Sequence, residues 1–79
     1  MINLDLTNVG SLDELKSRLE QHAAKRQTGE WLYGRGWDES LWLVSEVPTK
    51  EDLDAVIADH PVYLERADGH SAIVNSLAL

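Results

Sequence analysis

Two capped helical segments, each followed by a short run of strand-forming residues, constrain this chain more than any other feature. Ser11-Leu12-Asp13-Glu14 has the form of a capping box, in which the serine oxygen accepts from the Glu14 N–H and the glutamate reaches back. Leu12, Leu15, Leu19, His22 and Ala23 follow at three-to-four spacing, which lays one apolar stripe along a helix. Asp13 and Glu14 suit the positive end of its dipole, and Lys25 and Arg26 the negative end. Gly29 is the expected stop. A second helix is expected after Pro48, with Thr49 as its cap and Leu53, Val56 and Ile57 on its buried face. His60-Pro61 ends it, because the residue before a proline is pushed out of the helical region.

The strand signals lie between these helices. Ile2, Leu4 and Leu6 alternate with Asn3 and Asp5, the period of a strand with one buried face over Met1–Leu6. Trp31-Leu32-Tyr33 has strand propensity and runs into Gly34-Arg35-Gly36-Trp37-Asp38, where glycines admit a close backbone or ligand. Val62 to Arg66 is the third strand, Asp68-Gly69 turns out of it, and Ser71 is expected to cap a last helix carrying Ile73, Val74 and Leu77. The order β-α-β-α-β-α predicts an α/β fold: a three-stranded parallel sheet with helices packed against it. Residues 39–48 read as a loop whose Trp42, Leu43, Val44 and Val47 pack on something. Trp31 is expected in the core, whereas Trp37 and Trp42, flanking an acidic loop, are expected as exposed anchors.

Composition narrows the functional classes. With 79 residues the chain forms one small domain, and with no cysteine it has no disulfide, zinc ribbon or thiol nucleophile. Seven basic against fourteen acidic residues give a net charge of −7, which disfavours tracking a phosphate backbone, so no nucleic-acid partner is expected. No apolar run approaches the ~20 residues of a membrane span and no secretory signal is visible, so a soluble, cytoplasmic protein with no membrane partner is expected. A strand starting at Met1 and an uncapped, apolar Leu77-Ala78-Leu79 predict a piece of a larger protein.

Ligands of parallel α/β sheets bind beyond the carboxyl ends of the strands. Those ends carry Arg35, Gly36, Trp37 and Asp38 after the second strand, and Arg66, Asp68, Gly69 and His70 after the third. Two readings stand side by side: the arginines pair with Asp38, Glu65 or Asp68, or the group contributes a surface to a pocket. Asp38, Asp68 and His70 are suitable metal-ligand types, but no His-x-His or His-Glu-x-x-His spacing occurs, so no metal site is expected in this chain. His22 and His60 read as structural. No Gly-x-Ser-x-Gly elbow is present, and no residue is assigned as catalytic.

Several of these segments carry a resemblance. Gly29-Glu30-Trp31-Leu32-Tyr33-Gly34-Arg35-Gly36-Trp37-Asp38, Pro48-Thr49-Lys50-Glu51-Asp52-Leu53-Asp54 and Pro61-Val62-Tyr63-Leu64-Glu65-Arg66-Ala67-Asp68-Gly69-His70-Ser71-Ala72 resemble, in that order, the amidohydrolase-3 type of the metal-dependent amidohydrolase superfamily. Leu4-Asp5-Leu6, Ser11-Leu12-Asp13-Glu14-Leu15 and Val74-Asn75-Ser76 match as well, while Leu43 and Ile73 stand where relatives often carry proline and an aromatic. The resemblance implies a longer parent enzyme with a TIM-like barrel and a divalent metal, zinc, that activates water to hydrolyse C–N bonds. It makes residues 1–79 one small domain, an inserted piece after the first barrel strand, inactive without the parent's metal ligands. By resemblance and position, Arg35, Trp37, Asp68 and His70 face the active-site entrance, with His70 orienting a polar substrate or instead serving structure. The expected partners are the barrel remainder of the parent and a second copy of the chain. The alternative is a free-standing binding or regulatory module that uses the strand-end edge and exposed tryptophans.

Overall fold

A computed structural model describes residues 4–43 and 46–78. Of the strand expected over Met1–Leu6 the described part is Leu4–Asp5; residues 1–3 and the loop residue Val44 lie outside the described residues. In chain order the elements are β1 (Leu4–Asp5), α1 (Leu12–Ala23), β2 (Leu32–Trp37), α2 (Lys50–Val56), β3 (Val62–Arg66) and β4 (Ala72–Val74). Short 3-10 turns cover Glu39–Leu41 and Ser76–Ala78. The sheet order is β1-β2-β3-β4; the first three strands run parallel and β4 is antiparallel to β3.

The helix starts follow their caps. The Ser11 hydroxyl accepts from the Glu14 N–H at 3.0 Å, and the Glu14 carboxylate accepts from the Gly10 N–H at 2.9 Å. Thr49 and Asp52 form a reciprocal capping box at α2. The helix ends differ from expectation. Helix α1 closes at Ala23, six residues before Gly29, through turn hydrogen bonds from Lys25 to His22 and from Arg26 to Ala23. Helix α2 closes at Val56, and Ile57 is already extended.

Sequential order among parallel strands places both connecting helices on the same face of the sheet. Leu15 and Leu19 of α1, and Leu53 and Ile57 after α2's start, join Leu6, Leu32, Val62 and Leu64 of the sheet in one buried cluster. On the opposite face lie Tyr33, Arg35, Tyr63 and Glu65. Gly34 is on the helix side, where a Cβ would stand 2.8 Å from the Leu64 side chain.

Three expectations are corrected. The segment after Ser71 is a strand, so the sheet has four strands and is mixed. Gly69, at φ +73°, turns the chain back, and the Arg66 N–H donates to the Ser71 carbonyl at 2.8 Å, closing a hairpin. The tryptophan assignments invert: Trp31 is 48% exposed, while Trp37 and Trp42 are 1% and 6% exposed. A bulge between Arg35 and Trp37 is the cause for Trp37. Leu32 and Gly34 point inward, and the extra residue, Gly36, shifts the alternation so that Trp37 also points inward. Trp42 is anchored by its indole N–H, which donates to the Val9 carbonyl at 2.9 Å. Of the apolar loop, Leu43 is fully exposed and Val47 largely so.

Candidate functional site

The carboxyl ends of β2 and β3 are joined by one guanidinium. Arg66, the last residue of β3, donates from Nε and Nη2 to the two Glu39 oxygens at 3.0 and 2.8 Å. Its Nη2 also reaches Asp38 Oδ1 at 3.0 Å, and its Nη1 reaches Asp68 Oδ2 at 2.8 Å. Planar arginine, with five donors in a fixed fork, suits such multiple carboxylate contacts. Glu39 Oε1 also accepts from the Trp37 indole at 3.0 Å, which ties the network to the core. The Ala67 N–H donates to the Trp37 carbonyl at 2.9 Å, extending the β2–β3 pairing past the bulge.

Titration follows from these contacts. The Arg66 hydrogen bond holds the Glu39 carboxyl below its ordinary value. The His70 N–H, and then Arg66, lower that of Asp68. Three carboxylates in turn push the Arg66 guanidinium up, the Glu39 hydrogen bond contributing most. Glu39, Asp68 and Arg66 are therefore ionic throughout the neutral range.

Asp68 and His70 are brought together: Asp68 Oδ1 accepts from the His70 backbone N–H at 2.9 Å, fixing the turn that carries the imidazole, and His70 itself is exposed. Trp37 is not at the surface, so the expectation that it faces a substrate entrance is corrected; its ring fills the core beneath the site. Arg35 lies on the open sheet face, 4.0 Å from Glu65. It borders a cavity of about 390 Å³ with Leu4, Asp5, Thr7, Gly36 and Ala67. The backbone turns closely there because Gly36, at φ +104°, lies against Thr7, where a Cβ would come within 2.8 Å of Thr7 Oγ1. The Thr7 hydroxyl and N–H both donate to Asp5 Oδ1, and these bonds, the hydroxyl's first, lower the Asp5 carboxyl below its ordinary value.

The expected pairing of the arginines with Asp38, Glu65 or Asp68 is found, Arg66 taking Asp38 and Asp68 and Arg35 facing Glu65. Sequence reasoning missed two residues: Glu39, which makes Arg66 rather than Arg35 the hub and whose signal was the acidic pair Asp38-Glu39 after β2, and Asn75. Asn75, fully buried, accepts from the Val62 N–H at 2.9 Å and donates to the His60 carbonyl at 2.7 Å, clamping the chain's last turn to the start of β3. His60 is buried, with Nδ1 2.9 Å from the Glu30 carbonyl, and is structural.

Among the described residues, no three His, Cys, Asp or Glu side chains are grouped to hold a metal. The acids at the strand ends turn to Arg66, and that donor set does not fit a divalent ion. No helix among the described residues is long and apolar enough to cross a membrane.

Comparison with known proteins adds a frame. The profile described as the Amidohydrolase family matches residues 1–79. YtcJ of Bacillus subtilis (strain 168), a protein named as an amidohydrolase, is 35% identical over 78 residues, covering 99% of this chain and 15% of its own length. The N-substituted formamide deformylase of Arthrobacter pascens is 31% identical over 71 residues, covering 90% of this chain and 13% of its own. Among solved structures, an uncharacterized metal-dependent hydrolase from Pyrococcus furiosus superposes with a TM-score of 0.74 at 36% identity, over 95% of this chain and 14% of that one. The chain thus spans about one seventh of the length of the proteins it matches.

Proposed function

Because the chain belongs to the amidohydrolase family, we propose that it serves as a segment of a metal-dependent hydrolase acting on amide-type C–N bonds. The observation that carries this reading is the match over all 79 residues to that family, together with an ordered, charged constellation at the carboxyl ends of parallel strands. The segment shapes the entrance to the active site. Asp68, held by Arg66 on one oxygen, orients the turn bearing His70 with the other, and His70 contacts the polar part of the substrate. Arg35 bounds the neighbouring cavity and supplies a cation beside Asp5 and Thr7. The divalent metal, which we take to be zinc, supplies activated water in such hydrolases and is held by residues outside this segment. The segment alone is inactive, and its setting is the cytoplasm.

The relative named an N-substituted formamide deformylase gives the test a substrate. Residues 1–79 are grafted in place of the matching stretch of that deformylase, and hydrolysis of an N-substituted formamide is followed. The graft is expected to be active, with kcat/KM about tenfold lower or worse for His70→Ala and Asp68→Ala. Unchanged kcat/KM in both variants sinks the assignment. Turnover by the 79-residue chain alone with zinc sinks the claim of inactivity. The other reading, a free-standing module anchored by Trp37 and Trp42, loses its anchors because both rings are buried.

A further inference from the structure

Asp68 alone among the aspartates is followed by glycine. Glycine has no Cβ to shield its nitrogen and has the widest backbone freedom, so a carboxyl group directly before it can turn on its own main chain. The pair lies in the turn between β3 and β4, where Ala67 to Ala72 are exposed. A Cβ at Gly69 would meet nothing within 4 Å, so the tip of the turn stands clear of the rest of the described chain. Hydrogen bonds hold it. The Gly69 N–H donates to the Arg66 carbonyl at 2.9 Å, which closes a β-turn. Asp68 Oδ1 accepts from the His70 N–H at 2.9 Å and Oδ2 from Arg66 Nη1 at 2.8 Å, so both carboxylate oxygens are taken. The His70 bond first, and Arg66 after it, hold the carboxyl below its ordinary value and so keep it ionised.

We propose that Asp68-Gly69 is a site of spontaneous isomerisation to isoaspartate, and that the Arg66 and His70 contacts are the latch that restrains it. In the first step the carboxyl, protonated and free of its partners, is attacked at Cγ by the Gly69 nitrogen. An N–Cγ bond forms, the Cγ–OH bond breaks, and the hydroxyl leaves with the proton of the nitrogen as water. Water then adds to the Asp68 main-chain carbonyl carbon of the five-membered imide, and the bond from that carbon to the Gly69 nitrogen breaks. The water lost is regained, nothing is oxidised or reduced, and the main chain now runs through Cβ and Cγ. The latch opposes the first step in two ways. A carboxylate held at both oxygens is charged and immobile, and the Gly69 N–H is committed to the Arg66 carbonyl. Reaction therefore waits on local opening of the turn. Isoaspartate adds one atom to the main chain and moves the carboxylate onto the former α-carbon. The paired contacts to Arg66 and the His70 N–H are then lost, and with them the turn that leads into β4. This chemistry holds whether or not the strand-end group meets a substrate.

The chain is incubated at mildly acid pH, folded or in denaturing urea, and digested with a protease that cleaves before aspartate but not before isoaspartate. The fraction left uncut between Ala67 and Asp68 gives the extent of reaction. Isoaspartate is expected at Asp68, and to accumulate about tenfold or more slowly in the folded wild type than in urea, as two charge-assisted hydrogen bonds require. Arg66→Gln, shown to be folded by circular dichroism, removes the Nη1 donor and speeds accumulation in the folded chain by about tenfold. Arg26→Gln makes the same change beyond the end of α1 and stays within about twofold of the wild type. Equal rates for folded and unfolded wild type overturn the proposal. So does a rate for folded Arg66→Gln no higher than for Arg26→Gln, or isoaspartate at other positions in place of Asp68. The comparison of folded chain with urea uses the wild type alone, so the test stands if Arg66→Gln does not fold.

Discussion

At the scale of single residues, two positions are decided by geometry that substitutions can probe. Gly36 occupies the left-handed region at φ +104° and touches the Thr7 backbone and side chain. Gly36→Ala therefore meets both backbone strain and a close contact, and a loss of about 1–3 kcal/mol is expected, read from urea unfolding. Asn75 is buried and serves the Val62 N–H and the His60 carbonyl at once. Asn75→Ala leaves both groups without their partner and is expected to destabilise by about 2–3 kcal/mol, whereas Asn75→Asp keeps the acceptor alone. A smaller loss for Asn75→Ala than for the exposed Asn8→Ala would contradict the clamp. The close approach at Gly36 was legible in kind, because glycines among strand-formers admit a neighbouring backbone, but its partner Thr7 was not; the role of Asn75 was not legible at all. Asn75 looked like any polar residue near the end of an apolar segment, and its value lies in two groups that are more than ten positions away.

At the scale of elements, helix starts were legible because a cap is local chemistry: Ser11 with Glu14, and Thr49 with Asp52, work within one turn. Thr49→Ala is expected to cost about 1 kcal/mol in thermal or urea unfolding. Helix ends and the last strand were not legible to the same degree. Ile73 and Val74 satisfy a helix stripe and a strand alternation over so short a run, and the hairpin closed by Gly69 and the edge offered by β3 decide for the strand. Trp37 shows the same limit. Alternation alone places it with Tyr33 and Arg35, and only the bulge at Gly36 turns it inward. The strand-end network sets a pH dependence at this scale. Asp68 and Glu39 have folded values below the ordinary 3.8 and 4.5. Their contribution is therefore fully present above those unfolded values and is lost as pH falls through the lower folded ones. Stability should hold from neutral pH to about 5 and decline below about 4, with a shallower decline in Arg66→Gln, followed by circular dichroism at stepped pH.

At the scale of the whole molecule, one buried cluster links both helices to the sheet. Helix content and the fluorescence of the buried Trp37 and Trp42 are therefore expected to change in one transition on urea titration, and separated midpoints would contradict a single cooperative unit. Only the location of the candidate site was legible. The carboxyl ends of β2 and β3 follow from the order of elements, and Asp68 and His70 share one turn there, Asp68 Oδ1 accepting from the His70 backbone N–H. Which arginine organises the site was decided only by the fold, which places Asp38, Glu39 and Asp68 around Arg66 and leaves Arg35 on the open face. By itself the sequence determined what depends on neighbours along the chain: the helix caps, the apolar stripe of α1, the parallel β-α-β-α-β core and the family. The tertiary structure alone decided what depends on residues far apart: the antiparallel fourth strand, the inversion of the tryptophans, the Arg66 hub and the bare aromatic face. The physical reason is range. Caps and periodicity act within a turn or two, whereas a bulge, a strand edge and a shared guanidinium exist only once distant segments lie side by side.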